Sequence, residues 1–80
     1  MITIYPFNTE NEIKVLEFLT NSKGIHFRKI LLEEIEFENL PCHAILTIAR
    51  DLEKRGFTSN NNGTLDITEQ GKEYLLKLLN

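Results

Sequence analysis

The amino-acid sequence predicts a small α+β fold, mostly helical, in which a three-helix core is followed by a β-hairpin and a C-terminal helix. Two observations predict it. Apolar residues recur at helical spacing in four separate segments. The pair Asn62-Gly63 lies between two short alternating segments, which is typical of a tight hairpin. The length of 80 residues suits a single domain, residues 1–80.

The N-terminal part predicts an extended arm followed by a helix. Pro6 disfavours helical geometry, so we expect residues 1–7 to be extended. Thr9 and Glu12 have the spacing of a capping box, which predicts a first helix over residues 9–20. Apolar side chains cover most of this helix and leave one narrow polar stripe. We therefore expect the rest of the domain, or a second subunit, to cover it.

The middle of the chain predicts a short strand and two more helices. Residues 25–27 alternate like a very short strand, with His26 facing solvent. Residues 28–36 have helical spacing and predict the second helix. Pro41 suits a first helical turn, and a glycine follows the last helical position. These signals predict a third helix over residues 41–55.

The C-terminal third predicts a hairpin over residues 57–67 and a last helix over residues 69–79. The Asn62-Gly63 pair favours a two-residue type I′ turn, which needs positive φ at both positions. Thr68 suits a helix N-cap. Apolar side chains span about 200° of the last helix, an unusually wide arc for a surface helix. This arc indicates a dimer contact.

The third helix carries the most function-like pattern in the chain. Stepping about 100° per residue places four apolar side chains on one side of it. They are Ile45, Ile48, Ala49 and Leu52. The opposite side carries a stripe of cationic and hydrogen-bonding residues at helical spacing: His43, Thr47, Arg50 and Lys54. Glu53 falls well off this stripe. The pattern fits an ordinary solvated face or a surface that contacts nucleic acid.

Charge is distributed unevenly along the sequence. Nine basic and twelve acidic residues give a net charge of −3. Only residues 41–56 are net positive, since three cations against two acids give +1. A nucleic-acid-binding protein needs a basic surface, so any such surface is expected to be local. The acidic run at residues 33–38 predicts a solvated surface or a docking site for a basic partner.

The sequence gives little support to catalysis or to cofactor binding. Cys42 and His43 are adjacent and His26 is the only other histidine, which is poor spacing for a metal site, so we expect no metal and no other cofactor. We expect no enzyme, because the sequence has neither a glycine-rich phosphate loop nor a nucleophile with its base. One cysteine fits a reducing cytoplasm. No apolar run approaches the about 20 residues that span a bilayer, so we expect no membrane contact.

Two motifs flank the predicted hairpin. Residues 52–57 read LEKRGF, and residues 67–75 read ITEQGKEYL. The first resembles the end of the recognition helix in winged helix-turn-helix proteins, particularly the MarR-like and PadR-like bacterial regulators. The second resembles the pattern L-T-x-x-G-x-x-x-L that follows the second wing strand in those families. The order of the predicted elements is similar over most of the chain.

This resemblance implies that the third helix enters the major groove of DNA and that the hairpin, or wing, lies over the backbone or the minor groove. Arg50 would face base edges or phosphates, and arginine suits guanine. Lys54 would contact a phosphate. The wing tip has no lysine or arginine, so we expect it to contribute hydrogen bonds at most. The expected DNA-binding residues are Arg28, Lys29, His43, Thr47, Arg50, Lys54, Asn61 and Asn62.

The residues and the resemblance together predict a DNA-binding winged-helix protein. We expect a small transcriptional regulator of bacterial or phage-like type, cytoplasmic, that binds double-stranded DNA as a homodimer. The first and last helices and the N-terminal arm would supply the dimer contact. The alternative is a winged-helix module for protein-protein interaction or dimerisation that does not bind DNA. Such a module would act through its apolar helix arcs or its acidic run.

Overall fold

A computed structural model of the chain describes residues 8–80 and confirms the α+β class, with mostly helical structure. The predicted arm at residues 1–7 lies outside the described residues. The elements in order are α1 (Thr9–Ser22), β1 (Ile25–His26), α2 (Phe27–Leu32), α3 (Cys42–Lys54), β2 (Thr58–Asn61), β3 (Thr64–Ile67) and α4 (Glu69–Leu79). The strands form one antiparallel sheet in the order β1-β3-β2. Within residues 8–80, no helix has the length and apolarity that crossing a membrane requires.

α1 begins with a different cap from the one predicted. The side chain of Asn8 accepts a hydrogen bond from the backbone N–H of Asn11 at 2.8 Å, so Asn8 is the N-cap and the proposed box of Thr9 and Glu12 is wrong. Asparagine is as good an N-cap as threonine, and with Asn8 as the cap the helix begins at Thr9, the first residue of the predicted range. The Glu12 carboxylate therefore takes no part in the cap, and Glu12 is buried.

The core is built around one side each of α1 and α3. The buried apolar side chains of the described residues are Val15, Leu16, Phe18, Leu19, Ile30, Leu40, Ala44, Ile45, Ile48, Ala49, Leu52, Leu65 and Ile67. This set includes the whole predicted inner stripe of α3. The apolar side of α1 is therefore covered by its own domain, and α1 needs no second subunit to cover it.

α2 is shorter than the predicted helix over residues 28–36. It ends at Leu32 because Glu34 takes a left-handed conformation, with φ 48°, and the N–H of Ile35 bonds back to the carbonyl of Ile30 at 3.0 Å. This is the Schellman termination, in which glycine is the usual left-handed residue. A glutamate in that position does not indicate a helix end in the sequence. The predicted helix was therefore extended too far, to residue 36.

A tight turn connects α2 to α3. Phe37 and Leu40 exchange two backbone hydrogen bonds of 3.0 and 2.9 Å around Glu38 and Asn39, which both have positive φ. The Phe37 ring packs against the ring of Phe18 on α1, with centroids 5.6 Å apart. This contact anchors the connection to the core, and α3 starts directly after it.

The β2–β3 hairpin has the predicted turn. Asn62 and Gly63 have φ of 53° and 96°, as a type I′ turn requires, and Asn61 pairs with Thr64 on either side of them. β2 is tied to α3 through a hydrogen bond of 2.8 Å from the Thr58 hydroxyl to the carbonyl of Ala49. The hairpin is thus held at a fixed position beside α3.

The start of α4 explains why the motif at residues 67–75 contains threonine and glycine. The Thr68 hydroxyl donates to the carbonyl of Gly56 at 2.7 Å and accepts from the N–H of Gly71 at 3.0 Å, so it caps α4 and joins it to the end of α3. A Cβ at Gly71 would clash with the backbone carbonyl of Phe57. Only glycine lets α4 approach the chain this closely.

Candidate nucleic-acid interface

The outer face of α3 presents four of the eight side chains that the sequence predicts for DNA binding. His43, Thr47, Arg50 and Lys54 are all exposed. The Thr47 hydroxyl donates to the carbonyl of His43 at 2.7 Å, one turn earlier. Its proton is therefore used within the helix, and the oxygen of Thr47 is available to an external partner mainly as an acceptor.

The two cations of this face, Arg50 and Lys54, form no ion pair with a carboxylate of residues 8–80. Within residues 8–80, the ion pairs join Lys14 to Glu10, Arg55 to Glu12 and Asp51, and Lys72 to Glu69. Arg50 and Lys54 are in none of them, and neither are Arg28 and Lys29, which are exposed on α2. An anion that approaches these four side chains therefore breaks no ion pair among the described residues.

A groove beside α3 brings several predicted elements together. Its volume is about 580 Å³, and it lies between α3, the hairpin and the start of α2. The lining residues are Phe27, Leu46, Arg50, Glu53, Lys54, Asn60 and Leu65. Glu53 lies well off the stripe of His43, Thr47, Arg50 and Lys54 on α3, as predicted, but it also lines this groove. The hairpin extends the contact surface sideways, so a residue about 60° from Arg50 on the helix still faces the same space.

The hairpin tip has a structural role for part of its asparagine run. The Asn60 side-chain oxygen accepts the N–H of Gly63 at 2.7 Å, which braces the turn. Asn62 occupies a left-handed position within the turn. Asn61 and Asn62 are both exposed, outside the lining of the groove. Any contribution they make to binding comes from the end of the hairpin.

The tip is fastened to the beginning of α2. The N–H of Phe27 donates to the carbonyl of Gly63 at 2.9 Å, and the His26 ring lies so close to Gly63 that a Cβ there would clash with it. The His26 Nδ1 accepts the N–H of Arg28 at 3.1 Å, and its ring stacks on Phe27 with centroids 4.9 Å apart. His26 is thus half-buried and structural, so the prediction of a solvent-facing residue is wrong. Its contacts place Arg28 next to the hairpin tip.

A second charged cluster was missed by the sequence analysis. The Glu12 carboxylate, 8% exposed, accepts the hydroxyl of Tyr74 at 2.6 Å and the guanidinium of Arg55 at 3.0 Å. Arg55 also pairs with Asp51 at 3.1 Å and lies over the rings of Phe57 and Tyr74. Those two rings stack on each other, with centroids 4.1 Å apart. We call these five residues the Arg55 cluster.

The Arg55 cluster perturbs the titration of two of its members. The hydrogen bond to the Glu12 carboxylate and partial burial raise the pKa of Tyr74 above its ordinary value. Burial lowers the pKa of Arg55, but hydrogen bonds to Glu12 and Tyr74 outweigh it and leave the pKa raised. The cluster joins α1, the end of α3 and α4, so Arg55 is committed to stability.

One signal in the sequence points to this cluster. Glu12 lies four residues before Leu16 and seven before Leu19, in the middle of the apolar side of α1. A carboxylate at such a position needs a cation or strong donors. The capping-box spacing with Thr9 offered a simpler use for Glu12 and concealed this one.

Comparison of the chain with protein-family models, with curated proteins and with solved structures gives no match. The described residues contain no group of three or more side chains able to hold a metal ion.

Proposed function

We propose that the protein binds double-stranded DNA through the outer face of α3, in a winged-helix arrangement with the β2–β3 hairpin as the wing. The element order supports this arrangement, since a short strand precedes α2 and pairs with the second strand of the hairpin. One observation carries the proposal. Arg50 and Lys54 are exposed on one helix face and form no ion pair within residues 8–80.

The proposed contacts differ along the surface. Arg50, near the middle of the outer stripe, faces base edges or phosphates, and Lys54 at the helix end contacts a phosphate. Arg28 and Lys29 hold the flanking backbone. The hairpin tip adds hydrogen bonds from its asparagine side chains and no charge. Affinity therefore depends mainly on four cations, and we expect it to be modest and sensitive to salt.

In this proposal the protein is a cytoplasmic transcriptional regulator that acts as a homodimer. α1 is covered within its own chain, so among the described residues the dimer contact would lie on α4. There Leu76 and Leu79 are 63% and 54% exposed. Two protomers would double the cationic face and match a two-fold DNA site.

A second candidate function is a protein-interaction module. It is favoured by the exposed leucines, among which Leu32 at the end of α2 is 84% exposed. Leu32 precedes the acidic run at residues 33–38, so an amphipathic partner with basic residues would suit this end of the molecule. Such a function leaves Arg50 and Lys54 without a role.

A fluorescence anisotropy titration against random-sequence duplex DNA across a salt series tests the proposal. We expect binding at low salt, with a slope that becomes about 1.8 shallower in Arg50→Ala/Lys54→Ala, since each phosphate contact contributes about 0.9. Lys77→Ala is the matched control, because Lys77 is an exposed lysine on α4 that lies outside the proposed surface. Absence of binding at low salt would rule out DNA and favour the interaction module.

A further inference from the structure

The groove beside α3 combines an apolar lining with two cations. Phe27, Leu46 and Leu65 contribute carbon surface, while Arg50 and Lys54 contribute positive charge. Its volume of about 580 Å³ falls within the roughly 300–1,000 Å³ typical of small-ligand sites. A regular DNA duplex contacts α3 from outside and has no group that would fill such a groove, because its bases are stacked and paired.

The polar groups of the groove fit one kind of occupant. The Asn60 oxygen is used by Gly63, which leaves the amide nitrogen of Asn60 to donate outward. Arg50 and Lys54 attract a phosphate and Glu53 repels one. A phosphate in the groove is therefore favoured next to the two cations. The Glu53 carboxylate is then an acceptor for an exocyclic amino group, such as that of cytosine.

We propose that the groove binds an unpaired nucleotide of DNA, with its base packed on Phe27 and its phosphate held by Arg50 and Lys54. An aromatic ring beside cations is the usual combination for holding an unstacked base. His26 stacks on Phe27 and keeps its ring in place. The inference rests on the proposed DNA binding and specifies the form of DNA that the same surface prefers.

The test compares a 20-base-pair duplex with the same duplex carrying one bulged cytidine, by fluorescence anisotropy at one salt concentration. We expect the bulged duplex to bind the unaltered protein about tenfold more tightly, within the range that stacking of one base provides. Equal affinities would overturn the inference. This comparison needs no variant and is therefore independent of any folding defect.

Phe27→Leu then assigns the preference to the groove. Leucine keeps apolar bulk but removes the aromatic face, so the preference should fall to about twofold or less while affinity for the regular duplex is retained. Phe37→Leu is the matched control, since Phe37 is also a half-buried phenylalanine but lies against Phe18 instead of in the groove. An unchanged preference in Phe27→Leu would overturn the inference.

The outcomes separate this inference from the proposed function. Binding to the regular duplex without any preference overturns the unpaired-nucleotide site alone and leaves duplex binding intact. Failure to bind either DNA at low salt overturns both.

Discussion

Arg50 lies within α3 and Arg55 directly follows α3, and the two arginines have different partners. Arg50 is exposed, belongs to no ion pair within residues 8–80, and lines an open groove. Arg55 contacts two carboxylates and lies over two aromatic rings. The Arg55 side chain is also 39% exposed, so the two arginines differ in their ion pairs and ring contacts and not in whether they reach solvent. The surrounding acids, more than the cations, decide which arginines are available to an external anion.

The different partners of Arg50 and Arg55 also bear on whether a protein with a net charge of −3 can have a cationic surface. Two of the twelve acids, Glu12 and Asp51, are paired with Arg55, and Glu10 and Glu69 are paired with lysines. None of these four acids pairs with a cation of the α3 face. A negative total is thus compatible with a local cationic surface, because potentials near a surface depend on the nearest charges.

The largest expected effect is on the free energy of unfolding, which Arg55→Ala should lower much more than Arg50→Ala. Arg55→Ala leaves the buried Glu12 carboxylate without its cation, and we expect the free energy of unfolding to fall by about 2 kcal/mol, below the range for fully buried pairs because water reaches Arg55. Arg50→Ala should change it by less than about 0.5 kcal/mol. Urea unfolding of both variants measures this difference. Equal losses would break the comparison.

A smaller effect is expected from the hydroxyl of Tyr74. Tyr74→Phe keeps the stacked ring but removes the hydrogen bond to Glu12, and we expect a loss of about 1–2 kcal/mol at neutral pH. Because the pKa of Tyr74 is raised on folding, its contribution is complete below the ordinary tyrosine pKa and is lost as pH rises through the raised value.

The stability gap between the unaltered protein and Tyr74→Phe should therefore narrow at alkaline pH. Urea unfolding at pH 8 and at pH 11 measures it. A gap that stays constant or widens with pH would contradict the role of the hydroxyl in the Arg55 cluster.

The smallest expected effect concerns the acid inside the groove. Glu53→Gln removes a negative charge near Arg50 and Lys54, and we expect affinity for the regular duplex to rise about threefold with stability unchanged. Glu73→Gln on α4 is the matched control, since Glu73 is also exposed but does not line this groove. Anisotropy titration at low salt measures both variants. A fall in affinity for Glu53→Gln would show that this surface is not an anion site.

Much of the architecture was predictable because its signals are local. The Asn62-Gly63 turn, the Thr68 cap and the inner stripe of α3 each depend on residues close together in sequence, and the structure shows all three. The exposed stripe of α3 follows from the same periodicity. Local pattern was therefore sufficient to locate Arg50 and Lys54.

The features that the sequence did not predict depend on contacts between distant residues or on a residue type that gives no indication of its conformation. In the Arg55 cluster, Glu12 is separated in sequence from Arg55 by 43 positions and from Tyr74 by 62 positions. No short segment of the sequence therefore contains the cluster. The groove needs the hairpin to lie beside α3, so helical periodicity alone does not show that Glu53 lines it. The early end of α2 depends on a glutamate in a left-handed conformation, where its residue type is no guide.

The central claim is that Arg50 binds an external anion, whereas Arg55 pairs with the carboxylates of Glu12 and Asp51 in its own chain. The salt dependence of duplex affinity, measured side by side for Arg50→Ala and Arg55→Ala at a temperature where both are folded, tests it most directly. The account predicts a slope about 0.9 shallower for Arg50→Ala and an unchanged slope for Arg55→Ala. An unchanged slope for Arg50→Ala, or an unaltered protein that does not bind duplex at low salt, would contradict it.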